Sequence, residues 1–321
     1  MSNNKVDVKE NYIRDLDQEL LLLLLLDQTT KKNLIWATDN YKAYGYMSYD
    51  YITVAAITGY RGCVIKPRIE KSKAEIQKRV KDKAEVFTPA WVCNAQNNLV
   101  DIAWFGYQPV FNVETNNHWD TIKTKISFPE GKTWQDYVKA NRMEISCGEA
   151  PYLVSRYDSV SGEIIPIEDR IGLLDRKIRI VNENVDSDEE WLEWVKWSFK
   201  SVYGYDWQGD NVLLARENLL FTFIDYYVAR FGQHPSTKIL LEIAEIISWN
   251  VWQMDGLKFV IPNSCHSQKP IQMSMFGDEP EEPCIGCVTN SIKQHNGIYC
   301  KIKDWTTGRA NKFVNLIGRK S

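Results

Sequence analysis

The sequence predicts an α/β fold with a doubly wound sheet from about Glu85 onward. A helical, partly basic region precedes the sheet, and a cysteine- and histidine-bearing insert interrupts it. Three stretches predict this. The stretch Arg142 to Asp158 starts with a short apolar-and-acidic run that reads as a strand, turns at Cys147-Gly148-Glu149, and continues into Ala150-Pro151-Tyr152-Leu153-Val154, an apolar stripe at helical spacing. Ser201 to Asp206 reads as a strand ending on an acid, followed by a helical run from Asn211 to Tyr227. The apolar helix Ile239 to Ile247 then runs into Trp249 to Leu257, with an Asp255-Gly256 turn. Strand and helix in alternation are the signature of βαβ units, whose ligands bind outside the carboxyl ends of the strands. The expected segmentation is 1–84 (helical, partly basic), 85–262 (core), 263–300 (Cys/His insert) and 301–321 (a last core strand and a basic tail).

The 321 residues, 44% hydrophobic and 25% charged, can bury a sizeable core. A formal net charge of −3 argues against a chain that coats nucleic acid indiscriminately and leaves room for a local basic face. Seven cysteines with no secretory signal point to a reducing compartment, and so to the cytoplasm, with thiols that are buried or metal-bound. The run Leu20 to Leu26 is too short to span a bilayer, so no membrane association is expected.

From the amino end, Val6 to Leu26 reads as one leading helix whose leucines cover every face, so it is buried on more than one side. Arg61 to Lys83 carries nine Lys or Arg against three acids. Such a run is either a solvated helix face or a strip that contacts phosphates. Thr88-Pro89 reads as a helix entry, with threonine as cap and proline at the first helical position. Trp104 to Asp136 reads as an inserted loop or hairpin. Trp191, Trp194, Val195 and Phe199 recur at helical spacing in an acidic segment, an amphipathic helix with its acids in water.

The segment around Cys147-Gly148 resembles the S-adenosylmethionine (SAM) motif of the amino-methylating DNA methyltransferases, with Glu144, Cys147, Gly148 and Glu149 in the family's places. Phe87-Thr88-Pro89 is similar to the Phe/Tyr-Thr-Pro motif that precedes it in one sequence-order class, where it lines the methionine side of the cofactor. Asp206, with Trp207 beside it, stands where the family's second motif places the ribose ligand. Asp255 stands where the third meets the adenine amino group. The resemblance implies a Rossmann-like methyltransferase fold that binds SAM and methylates adenine N6 in DNA, as in bacterial and phage restriction-modification systems. It also implies DNA and a nuclease or methylase subunit as partners.

The family's catalytic Asp/Asn-Pro-Pro-Tyr/Phe loop has no counterpart, because the chain contains no Pro-Pro pair. Two stretches could take its place. In the first, Asn263 supplies the oxygen that holds the target amino group and His266 a flat face; the second, Lys312 to Ser321, is read as the strand that leads into the loop and is the preferred equivalent. The alternative function is a methyltransferase-fold module that binds DNA or a protein without chemistry.

Cys284-Ile285-Gly286-Cys287 is a Cys-x-x-Cys knuckle, and paired thiolates at that spacing take two tetrahedral positions on zinc. His295 is the expected third ligand and Cys265, in preference to Cys300, the fourth. Unrelated thiols or a redox pair would be the plain reading. Such a site would pin the acidic insert Gly277 to Glu282 to the domain. From Lys301 to Lys320 the chain is basic again, with six Lys or Arg and one acid.

Overall fold

A computed structural model describes residues 10–71, 88–267 and 282–317. Phe87, the basic residues from Lys73 to Lys83, Gly277 to Glu281, and Arg319 and Lys320 lie outside them. The leucine-rich segment forms two helices, α1 (Glu10–Leu16) and α2 (Gln18–Leu25). Asp17 divides them, because its backbone is extended and its carboxylate caps α2 by accepting from the Glu19 amide at 2.7 Å. Leu20, Leu21, Leu24 and Leu25 are buried while Leu22 stays exposed. After a two-residue pairing of β1 (Leu26–Asp27) with β2 (Lys32–Asn33) comes a short α3 (Val54–Ile57).

Next comes α4 (Ala90–Phe105). Pro89 occupies its cap position and Thr88 makes no capping bond. The cap comes from far along the chain, where the Asp158 carboxylate accepts from the Ala90 amide at 2.6 Å. The expected insert is a hairpin of β3 (Asn112–Thr115) and β4 (His118–Thr121), turning at Asn117 with φ +56°. It is followed by α5 (Trp134–Lys139), which Thr133 and Asp136 start with a capping box.

The centre is a three-stranded parallel sheet in the order β5 (Arg142–Ile145), β6 (Val202–Asp206), β7 (Val251–Gln253). Between β5 and β6 lie α6 (Leu173–Asn184) and α7 (Asp188–Lys200); between β6 and β7 lie α8 (Gly209–Phe231) and α9 (Thr237–Asn250). The helix expected from Trp191, Trp194, Val195 and Phe199 is α7, capped by Ser187 and with exposed acids in its first turn. Side chains alternate along a strand. Val202 and Val251 therefore join the helical core, while Tyr203, Trp252 and Met254 face the other way.

Three expectations change. No helix starts at Pro151: positive φ at Ser146, Gly148 and Ala150 (+51°, +52° and +63°) coils the chain into irregular turns, and the next α-helix is α6. Double winding is not seen among the described residues, where the second face of the sheet is covered by the described parts of the stretch 259–313, around Ile261, Cys300 and Ile302, with no long helix. That stretch contains α10 (Ile285–Thr289) and the hairpin of β8 (Lys301–Lys303) with β9 (Ala310–Lys312). Finally, the described part of the expected strand Phe313 to Gly318, residues 313–317, is not a core strand. Phe313–Asn315 is a turn of 3-10 helix, and the Phe313 ring packs 5.3 Å from Trp252. The apolar residues 313, 314, 316 and 317 follow a helical spacing rather than alternation.

The described part of the segment before residue 85 shares one core with the rest, which runs from Ile13 to Val251. Arg216 of α8 ties them together. Its Nε donates to the Val251 carbonyl at 2.8 Å, its Nη1 to Leu24 and Leu26 at 2.6 and 2.9 Å, and its Nη2 to Ser248 at 3.0 Å. A fully buried guanidinium persists because the carbonyls at the carboxyl ends of two helices, α2 and α9, surround it.

Candidate functional site

Four side chains from two separate stretches converge on one point. Cys265 follows the turn after β7, Cys284 caps α10, Cys287 lies in it, and His295 lies in the loop beyond. His295 Nδ1 is 3.7 Å from Cys265 Sγ, 3.7 Å from Cys284 Sγ and 3.6 Å from Cys287 Sγ, and all four ligand atoms lie within 4.8 Å of one another. Zinc sits about 2.3 Å from sulfur and about 2.0–2.1 Å from nitrogen, so tetrahedral S and N neighbours are about 3.6 Å apart. The quartet has that spacing and could hold a metal ion such as zinc. Cys300 is elsewhere, buried under the sheet with its thiol toward the Gln253 carbonyl at 3.4 Å.

The surroundings orient this cluster. The Asn296 amide donates to Cys284 Sγ at 3.3 Å, and the Asn296 side chain bonds the backbone of His266 in both directions, at 2.6 and 3.2 Å. The Tyr299 hydroxyl accepts from the His295 amide and donates to the Ile292 carbonyl, each at 2.9 Å. Burial works to raise the Cys284 pKa, but the Asn296 and Cys287 amides and the neighbouring His295 and Cys287 side chains prevail and bring it down to about 6. Burial, reinforced by Cys287 and Cys284, pushes Cys265 up to about 11. In a group of close thiols one proton leaves early and the rest are held until a cation arrives. A divalent ion with three thiolates carries a net −1. Lys258 stands beside Cys287 and Asp255, whose charges raise its pKa against the lowering effect of burial, so the ammonium balances the cluster.

At the carboxyl ends of the parallel strands, the expected cofactor residues occupy neighbouring places. The Gly148 amide donates to Asp206 Oδ2 at 2.9 Å, and Asp206 Oδ1 accepts from the Gln208 amide at 2.9 Å and Asn211 Nδ2 at 3.3 Å. Three donors leave about one of the roughly four acceptor sites of a carboxylate. Burial raises Asp206 to about 6. Glu144 is buried and its carboxylate accepts from the Tyr152 and Leu153 amides at 3.4 and 3.1 Å, holding the turn against the strand. Cys147 packs into the core against Gly204, and the Glu149 carboxylate accepts from the Tyr157 hydroxyl at 2.9 Å. Trp207 is 38% exposed and pinned by its indole N–H to the Ala37 carbonyl at 2.9 Å.

No family model, curated protein or solved structure matches this chain. The remaining expected residues lie to either side of the Gly148–Asp206 contact. Thr88 accepts from the Ser159 hydroxyl through its carbonyl at 2.8 Å, and Pro89 lines a separate cavity of about 710 Å3 with Trp91, Trp119 and Asp158. Asp255 Oδ1 accepts from the Leu257 and Lys258 amides at 2.9 and 3.1 Å and so closes the turn that leads to Asn263. Asn263 is exposed in a left-handed turn, φ +60°, two residues before Cys265. Among the described residues no hydrogen bond joins Asp255 or Asn263 to the Gly148–Asp206 pair.

Sequence reasoning missed Lys258, Asn296 and Tyr299 around the metal cluster, which have no fixed spacing to a cysteine. It also passed over two glycines. A Cβ at Gly286 would meet the His295 nitrogen at 2.6 Å, and one at Gly297 would meet Ser264 Oγ at 2.6 Å and Cys265 Sγ at 2.9 Å. The Cys-x-Gly-Cys pattern held the signal for the first, since glycine allows backbone to approach a ligand closely.

Proposed function

We propose that the chain is a SAM-binding methyltransferase-like module of the DNA adenine-N6 type, stapled by a structural zinc ion. The observation that carries the reading is the Gly148–Asp206 contact at the carboxyl ends of two adjacent parallel strands, with Asp255 just past the third in the order the resemblance implies. In this reading the free acceptor site of Asp206 takes a ribose hydroxyl, and the partly exposed Trp207 offers a face to the adenine. DNA is the substrate class, and a nuclease or methylase subunit of a restriction-modification system the partner. Titration calorimetry with SAM on the wild type and on Asp206→Ala tests it. Heat for the wild type that falls at least tenfold in affinity in the variant supports it; no heat, or equal heats, refutes it.

A second reading, a module that binds SAM or a partner without chemistry, is favoured by the place of Asn263. An exposed asparagine in a left-handed turn serves the backbone, since that residue type tolerates positive φ. Transfer of label from SAM to unmethylated genomic DNA separates the two readings. Methylation that survives Asn263→Ala would remove Asn263 from the chemistry, and absence of transfer with SAM bound would favour the second.

A further inference from the structure

The amino ends of β5 and β6, opposite the end that holds Gly148 and Asp206, border a cavity of about 710 Å3. Its rim carries four cations, Lys139, Arg142, Lys200 and Lys303, and two indoles, Trp197 and Trp305. The acid in that lining is Asp304, and its carboxylate is occupied by the Thr306 amide at 2.9 Å and by the Thr307 amide and hydroxyl at 3.2 and 2.8 Å. Lys303 pairs with Glu245 at 3.2 Å. Lys139 and Lys200 have no carboxylate within ion-pair distance among the described residues. They lie over rings instead, Lys139 5.2 Å from Trp197, and Lys200 4.9 Å from Trp197 and 5.7 Å from Trp305. Arg142 donates from Nη1 to the Asn141 carbonyl at 3.1 Å, and its Nε and Nη2 are buried without an acceptor, so its guanidinium adds charge to the cavity wall rather than open donors. Positive charge has thus gathered around a hollow with indole walls, with Glu245 paired to Lys303 and Glu193 acting on Lys200 from beyond ion-pair distance.

We infer that this cavity binds a nucleotide unit, its phosphate among Lys139, Arg142 and Lys200 and its base against Trp197 and Trp305. Several observations favour that ligand class. Clustered Lys and Arg attract phosphate whatever the sequence, and indole faces stack on any base, so the pair of features is the combination used to hold single-stranded nucleic acid. The cavity size falls within the range of about 300–1,000 Å3 typical of small-ligand sites. Met143 and Phe313 add apolar surface to the lining. Burial, with the charges of Lys196 and Lys303, lowers the Lys200 pKa against the raising effect of Glu193, and a bound phosphate would relieve that cost. The inference is independent of SAM binding, which concerns the other end of the sheet.

The nucleotide can be free or part of a strand, and one set of titrations decides. The full chain is titrated with adenosine 5′-monophosphate, adenosine and inorganic phosphate by calorimetry, and with a fluorescein-labelled eight-residue single-stranded DNA by anisotropy. Adenosine 5′-monophosphate is expected to bind more tightly than adenosine or phosphate alone and, at high concentration, to displace the oligonucleotide. An oligonucleotide affinity well above that of the mononucleotide assigns the site to a strand; the reverse assigns it to a free nucleotide. Lys200→Glu and Trp197→Ala should each weaken binding about tenfold or more, the loss expected for one charge reversal or one stacking face. Lys139→Glu, at an exposed position, should do the same with no risk to folding. Binding of all three variants within twofold of the wild type, or no binding of either nucleotide probe below about 1 mM, overturns the inference.

Discussion

Gly286 is the sharpest test of the metal centre. A methyl group added there would meet the His295 backbone nitrogen at 2.6 Å, Gln294 C at 2.7 Å and His295 Nδ1 at 2.7 Å. Two of these atoms are backbone, so rotating a side chain cannot relieve the clash. To reach an ordinary contact of 3.4 Å the nearest atom must retreat by about 0.8 Å, the difference between 3.4 and 2.6 Å. Metal–ligand distances hold to about 0.2 Å, so His295 cannot keep its position among the three sulfurs. Loss of an outer partner alone costs about 10–100-fold in metal affinity, and here the ligand itself moves. Gly286→Ala should therefore weaken zinc binding by about 100-fold or more, close to 2.7 kcal/mol. The assay is competition for zinc against a chromophoric chelator, with one ion per chain checked by native mass spectrometry. Gly148→Ala is the control: no atom lies within 4 Å of its added Cβ, and only the φ of +52° opposes it, at about 1–2 kcal/mol of stability with zinc affinity unchanged. Zinc affinity of Gly286→Ala within threefold of wild type, or a wild type that binds no zinc, would refute the reasoning.

Zinc should also leave in acid. Zinc must displace the proton that Cys265 keeps up to about 11, so its apparent affinity should fall steadily as pH drops and more steeply below about 6, where Cys284 also takes a proton, followed with a zinc-sensitive dye; an affinity unchanged between about pH 8 and pH 5 would contradict this. Burial raises Asp206 from 3.8 to about 6, so the folded chain binds that proton more tightly than the unfolded one. Its contribution to stability is full below about pH 4 and is lost as pH rises through 6, on the order of 3 kcal/mol, so urea melts should show a slope there that Asp206→Asn flattens. Asp101→Ala removes the carboxylate that faces Arg176 Nη1 at 2.5 Å, both side chains being 1% exposed. The stranded guanidinium should cost about 3–5 kcal/mol in denaturant melts, and a loss below 1 kcal/mol would show that Asn94 and Asn98 suffice.

The local pattern was enough for the elements that packing did not need to arbitrate. Apolar spacing marked α7, α8 and α9, and the runs before Cys147, Asp206 and Asp255 read as strands. The Cys/His quartet that could hold a metal ion was legible too, since a Cys-x-x-Cys pair announces two ligands and few other thiols and imidazoles compete for the rest. Contacts distant in sequence decided what remained. The turn after β5 coils where a helix was expected because Asp206, 58 residues on, takes the Gly148 amide, with the nearby Glu144 carboxylate taking the 152 and 153 amides. The cap of α4 comes from Asp158, and Thr88, the residue next to it, plays no part. The second face of the sheet is closed by Phe313 and Cys300 rather than by helices. Propensity acts over a few residues, and so the sequence by itself determined which segments are helix or strand and which thiols meet. Burial of carboxylates and apolar faces couples residues fifty or more apart, so only the tertiary structure decided how the strand ends turn and what covers the sheet.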